Sequence, residues 1–295
     1  MRSMKKIICF LGLIISYCLF ISCVSSPKEE IASEANLTKP EKSFVTSVIK
    51  NTYGGYSDMK KEGFNIKMVD KCKSAEDVFK LFDKYVHDYH FTCKIYNAVW
   101  KFIPQTDENC IRSKDEQNTY FEKTTSNAYY IRFSSCIIDD SYPYAKEFVK
   151  SANKAAEYDY IILDARSNNG GGNLQQYQFF DSLKNMNYSG TVIVLQDKYS
   201  FSSGEVWGAA GFYTSELNIK LIGTYSGGMQ SYGNCVERKS SGCWAWVPTT
   251  KMKIPDDGKW KGEGIGYEPD IFSYTENMKE TLERIGIDCT GIEFR

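Results

Sequence analysis

The stretch Tyr160-Ile-Ile-Leu-Asp-Ala-Arg-Ser-Asn-Asn-Gly-Gly-Gly172 constrains this chain more than any other. A continuous apolar run breaks abruptly into a polar, glycine-rich turn, which reads as a buried strand delivering a special turn to one edge of a sheet. Thr191-Val-Ile-Val-Leu-Gln196 repeats the pattern and leads into Lys198-Tyr-Ser-Phe-Ser-Ser-Gly-Glu205 and a helix-like segment. Glycines in the first turn allow backbone N–H groups to approach a ligand closely, and the second turn offers serine hydroxyls at a helix start. An oxyanion site beside a nucleophile needs that pair of turns.

The rest of the chain supplies a frame for them. Ser74-Ala-Glu-Asp77 carries a capping residue and early acids, and Val78, Leu81, Phe82, Tyr85, Val86 and Tyr89 follow at helical spacing. On a helix running that far, His87 falls opposite the apolar stripe and His90 on its shoulder; the chain has 2 histidines. Strand-like patterns cover Ile95 to Ile103, Ala128 to Phe133, Ile219 to Gly223 and Trp244 to Val247, and helical ones Tyr142 to Tyr158, Leu174 to Leu183 and the segment from Glu205. Strands alternating with helices imply an α/β body with a mainly parallel sheet. With 295 residues, 42% hydrophobic, one full core can be buried. Lys plus Arg (36) nearly balance Asp plus Glu (37), so no field draws the chain to nucleic acid.

Arg2, Lys5 and Lys6 precede an apolar stretch from Ile7 to Ser22, and Leu19-Phe-Ile-Ser-Cys23 resembles the lipobox of bacterial lipoproteins. The expectation is a lipoprotein signal peptide over 1–22, acylation of Cys23 and a flexible tether over 23–45. An uncleaved anchor helix is the alternative, although the stretch is short for a span. Either way the body is exported to the bacterial cell envelope, membrane-anchored and facing the periplasm or the cell surface. Cys72, Cys93, Cys110, Cys136, Cys235, Cys243 and Cys289 lack the spacing of paired metal knuckles, and a Cys235–Cys243 bridge would close a small loop.

Asp164-Ala-Arg-Ser-Asn-Asn-Gly-Gly171 resembles the Asp-x-Arg-x-Asn-x-Gly-Gly turn of the tail-specific (C-terminal-processing) serine proteases. Ser202-Ser-Gly-Glu205 is similar to their nucleophile turn, and Gly223-Thr-Tyr-Ser-Gly-Gly228 and Glu268-Pro-Asp-Ile271 stand where that family has a glycine-rich turn and a closing strand. The resemblance covers roughly residues 128 to 272 and implies a crotonase-like ββα spiral core over 128–295, preceded by a small, mostly helical segment over 46–127. Two departures place the chain beside the tricorn-like branch. The span from His90 to Tyr129 is too short for a PDZ module, and Gly228-Met-Gln230 offers no lysine base. That branch uses a histidine ahead of the core, and Asp88-Tyr-His90 resembles its context.

The resemblance implies Ser202 as nucleophile, His90 as base and an oxyanion hole of Gly170 or Gly171 with Ser203. Ser200 and Ser203 are the neighbouring alternatives to Ser202. Glu268 is the expected third catalytic member, with Glu263 and Asp88 competing, and Lys198 is the next base to consider. Asp164 and Arg166 read as a structural pair. Each residue has a plainer reading: Ser202-x-x-Glu205 also fits a capping box, and a histidine at a helix end is usually structural. A His87–His90–Cys93 metal cluster fits by spacing but finds no fourth ligand. The expected function is a membrane-tethered serine endopeptidase acting on peptide or protein, without metal or organic cofactor. The alternative is a catalytically inactive binding lipoprotein on the same fold.

Overall fold

The computed structural model describes residues 36–103, 107–112, 119–137, 144–240 and 242–294. The expected signal peptide and Cys23 lie outside them. The strands β3 (Tyr120–Thr124), β4 (Ala128–Phe133), β5 (Tyr160–Asp164), β6 (Thr191–Gln196), β7 (Asn218–Gly223) and β10 (Ile271–Phe272) form one sheet in the order β10-β7-β6-β5-β4-β3. All neighbours pair in parallel except β3, which folds back antiparallel on β4. Leu163 stands beside Val194, and Val194 beside Leu221.

Both faces of the central strands are covered, which is why β5 and β6 read as unbroken apolar runs. Ile161, Leu163, Val192 and Val194 pack on helices α5 (Tyr144–Ala155) and α6 (Leu174–Asn185) through Phe148 and Phe179. Ile162, Ile193 and Leu195 pack on Met278 and Leu282 of α8 (Met278–Arg284). Because β5, β6 and β7 are parallel and in register, the turns that follow them open on the same edge.

A second, antiparallel sheet has the order β2-β1-β9-β8, from β1 (Thr92–Ile95), β2 (Ala98–Lys101), β8 (Tyr232–Ser240) and β9 (Cys243–Lys251). Helices α1 (Lys39–Ser47, continued by a π turn), α2 (Tyr56–Lys61), α3 (Lys67–Lys71) and α4 (Ala75–Tyr85) share a core with it, built on Phe44, Ile49, Phe82, Phe91 and Val247.

Several expectations change here. The 46–127 segment is helical only as far as Tyr85; its β1–β2 hairpin pairs with β9 from far down the chain, and β3 belongs to the main sheet. The tether cannot extend to residue 45, because Leu37, Phe44 and Val45 are buried and Thr38 and Glu41 form a capping box on α1. α4 begins at the expected Ser74 cap, whose hydroxyl accepts the Asp77 N–H at 3.2 Å, but Val86 turns extended and His90 leaves the helix. The helix expected from Glu205 shrinks to a 3-10 turn at Ser202–Gly204 and one turn, α7 (Trp207–Ala210). The β8–β9 register sets Cys235 opposite Pro248 and Cys243 opposite Ser240, so the expected bridge does not form; all cysteines among the described residues are free. Among the described residues no helix is long and apolar enough to cross a membrane.

Candidate active site

The turn after β5 is built on a buried ion pair. Arg166 donates to Asp164 through Nε at 2.9 Å and Nη2 at 2.6 Å, and the Tyr130 hydroxyl adds a third bond at 2.6 Å. Burial alone would raise the Asp164 carboxyl, but the guanidiniums of Arg166 and Arg132 overcome it and hold the group well below the usual carboxylate range. Arg132 also donates to the carbonyls of Asp164 (3.2 Å) and Arg166 (2.6 Å), so the backbone is fixed as well. Asp164 and Arg166 are therefore structural, as expected.

Asn168 then joins this turn to the one after β6. Its side chain accepts the Gly170 N–H at 2.8 Å and donates to the Phe133 carbonyl at 2.9 Å, while its own carbonyl accepts the Phe201 N–H at 2.8 Å. Gly170 has φ +88° and Gly171 +141°. A Cβ on Gly170 would stand 2.8 Å from the Ser202 Cβ and 2.7 Å from the Phe201 carbonyl, so only glycine lets the turns meet.

Ser202 sits at φ +52°, in the left-handed region that costs a side-chain-bearing residue free energy. Its carbonyl is held by the Gln230 side-chain amide and by the Glu205 N–H. Its hydroxyl oxygen lies 3.0 Å from His90 Nε2. The neighbouring serines are engaged elsewhere: Ser203 Oγ donates to the Gly171 carbonyl (3.0 Å), and the buried Ser200 Oγ to the Ala165 carbonyl (2.8 Å). The Ser203 and Gly171 N–H groups make no hydrogen bond among the described residues. Gly170, expected as an alternative oxyanion donor, already gives its N–H to Asn168, whereas the N–H groups of Gly171 and Ser203 remain available.

His90 reaches this point from a loop. Asp88 Oδ1 accepts the His90 N–H at 2.9 Å, an Asx turn that reverses the chain after α4. The Tyr89 N–H donates to Glu263 Oε1 at 3.1 Å, and the Tyr89 ring packs 5.3 Å from that of Phe201, beside Ser202. Asp88 Oδ1 stands 3.9 Å from His90 Nδ1. Burial lowers His90 to about 4, so the ring is neutral near pH 7. Burial, reinforced by the Glu263 carboxylate, pushes Asp88 up to about 8, and Glu263 is raised by burial in turn.

Glu268 does not join this group. Its carboxylate, 47% exposed, accepts from the Tyr225 hydroxyl at 3.0 Å, pairs with Lys261 at 2.7 Å and makes no bond to His90. The two competitors, Asp88 and Glu263, lie beside His90 instead. Asp270 of the same motif binds the Leu221 N–H at 2.8 Å and fastens β10 to β7. Lys198 is likewise no base: its ammonium donates to the carbonyls of Ser226 (3.2 Å), Gly264 (3.0 Å) and Ile265 (3.0 Å). His87 is exposed beside Glu62, and Cys93 is buried on β1, so the His87–His90–Cys93 cluster does not assemble. Sequence reasoning missed the role of Glu205. Fully buried and pushed up to about 8 by that burial, it accepts from the Ser226 hydroxyl and the Gly228 and Met229 N–H groups, clamping the glycine-rich turn after β7.

No protein-family model and no curated protein matches the sequence. Among solved structures, the chain is similar to a candidate peptidase from Parabacteroides merdae, at 11% identity and a TM-score of 0.51 over 85% of this chain and 96% of that one. A lipoprotein from Streptococcus agalactiae overlays with a TM-score of 0.47 at 11% identity, over 84% of this chain and 96% of that one. A candidate S41 protease from Bacteroides fragilis overlays with a TM-score of 0.41 at 12% identity, over 58% and 54%. At these identities the first overlay shows a shared fold, and the looser two add nothing to it.

Proposed function

We propose that the protein is a membrane-tethered, exported serine endopeptidase with a crotonase-like ββα core, acting on peptide or protein substrates. The observation that carries this reading is the 3.0 Å approach of His90 Nε2 to Ser202 Oγ across 112 positions of sequence. A neutral imidazole can take the serine proton as Oγ bonds to a peptide carbonyl carbon, and later give that proton to the leaving amine. Water then cleaves the acyl-enzyme with His90 again as base. The carbonyl oxygen, negative in each tetrahedral intermediate, is received by the Gly171 and Ser203 N–H groups, each such donor typically contributing about 10²–10³ in turnover. Asp88, whose Oδ1 lies 3.9 Å from His90 Nδ1, and Glu263 beside it are the groups placed to orient the ring and, when ionised, to stabilise the imidazolium. The lipobox-like Cys23 supports anchoring in the cell envelope. The test is labelling of the membrane-bound protein with a fluorophosphonate probe: the reading expects one adduct, on Ser202. Absence of both labelling and peptide cleavage would leave the binding lipoprotein.

A further inference from the structure

The imidazole of His90 uses only one of its nitrogens, Nε2 at Ser202. Its Nδ1 is buried without a hydrogen bond, and so is Asp88 Oδ2. Asp88 is fully buried and the His90 side chain is 10% exposed, an unusual place for unpaired polar atoms. The Tyr53 hydroxyl lies beside Asp88 and acts on it as a hydrogen-bond donor that holds the carboxyl down against burial, at a geometry too loose to make it a full partner of Oδ2. Glu263 reaches the same point. One potential ligand atom from each of Asp88, His90 and Glu263 lies within 4.8 Å of the others. Glu263 is held in place by the N–H groups of Tyr89 (3.1 Å) and Ser231 (3.0 Å), one on each oxygen, which leaves lone pairs free.

The geometry points to a zinc site here: Asp88, His90 through Nδ1 and Glu263 bind one Zn²⁺ and thereby remove His90 as a base. One imidazole and two carboxylates suit zinc, with a fourth position left for water, and their two charges match the ion's. Zinc bonds of about 2.0–2.2 Å place ligand atoms about 3.4 Å apart, so the set must contract by about 0.5 Å between His90 and Asp88 and by up to about 1.4 Å at its widest, within reach of side-chain rotation. The anchoring N–H bonds to Glu263, and that of the His90 N–H to Asp88, supply the outer contacts that orient metal ligands. The inhibitory consequence rests on the reading of Ser202 and His90 given above. A neutral imidazole has one ring proton; metal on Nδ1 leaves it on Nε2, which then donates to Ser202 Oγ and can no longer accept its proton. Zinc binding displaces any proton from Asp88 and Glu263 to solvent, and a chelator reverses the block.

The full chain in detergent, stripped with a chelator, is titrated with Co²⁺ while visible absorption is recorded, and Zn²⁺ is then added in competition. The expected result is one Co²⁺ per chain in a tetrahedral nitrogen and oxygen site, without thiolate charge-transfer bands, displaced by Zn²⁺. Glu263→Gln and Asp88→Asn should each weaken Zn²⁺ binding at least about tenfold, with folding checked by circular dichroism, and His87→Ala should leave it unchanged. Zn²⁺ should slow fluorophosphonate labelling at least about tenfold, reversibly. No bound cobalt, thiolate bands, or wild-type affinity in a folded Glu263→Gln chain would overturn the site. A chain that binds cobalt through these residues but never labels keeps the site and refutes the peptidase reading. One that labels but binds no metal does the reverse.

Discussion

The carbonyl of Asn168 occupies the space a side chain on Gly204 would need, so the turn after β5 and the turn carrying Ser202 touch backbone to backbone. Phe201 donates its N–H to that same carbonyl at 2.8 Å. Gly204→Ala should therefore push the two turns apart. Overpacking of this kind costs about 1–3 kcal/mol, read as a drop of several degrees in melting temperature. Probe labelling should fall further than stability does, because Ser202 loses its register with His90. Wild-type labelling in a folded Gly204→Ala chain would separate the turn contact from the chemistry.

Ser202 stands in a left-handed conformation, which separates its fold role from its chemical one. Ser202→Ala and His90→Ala should each abolish labelling and most turnover, and the double variant should lose little more, since the pair acts as a unit. Ser202→Gly should be more stable than Ser202→Ala by about 1 kcal/mol, because glycine accepts φ +52° without a Cβ conflict. Denaturant titration of the two variants checks this. Ser203→Ala should be milder in activity, since its N–H remains available to an oxyanion.

Cys23 lies outside the described residues, and its role is tested by partition. Cys23→Ser should shift the protein from the detergent phase to the aqueous phase on phase separation, because two or more acyl chains are needed for a firm anchor. Continued partition with detergent would assign the anchor to an uncleaved apolar segment, Ile7 to Ser22.

The central strands β4 to β7 were legible because burial on both faces leaves apolar runs that polar surfaces would interrupt, whereas the half-exposed β3 was not, and Asp164 to Gly172 announced its turn by composition. His90 was legible through Asp88-x-His90, a spacing with a local cause: the Asx turn bonds Asp88 to the His90 N–H. The end of α4 was not, because apolar spacing continues to Tyr89 while the chain departs after Tyr85 to place the Tyr89 N–H on Glu263. The pairing of β1 with β9 joins residues about half the chain apart, and nothing local marks it. The choice between Glu268 and Glu263 was equally hidden. Gly264 and Gly266, at φ +76° and +95°, turn the chain between them, so that Glu263 faces the Tyr89 and Ser231 N–H groups while Glu268 faces Lys261.

The pH dependence separates burial at His90 from an ordinary histidine. With its folded value near 4 against an ordinary 6.5, His90 is neutral above about pH 4, so the labelling rate should rise with a midpoint near pH 4 and be flat across pH 6.5. For stability the signs differ between groups. The folded chain holds fewer protons on His90 than the unfolded chain between about 4 and 6.5, so that contribution is lost as pH falls through the window. Asp88 and Glu205, pushed up to about 8 by burial from ordinary values of 3.8 and 4.5, hold more protons when folded and destabilise progressively as pH rises from about 4 to 8. Asp88→Asn removes one of these terms. Its urea stability should fall less between pH 5 and 8 than that of the wild type, by an amount on the order of a few kcal/mol. Parallel stability curves for the two proteins would mean that Asp88 is already ionised in the fold, balanced by a charged His90, and would move the labelling midpoint back toward neutral pH.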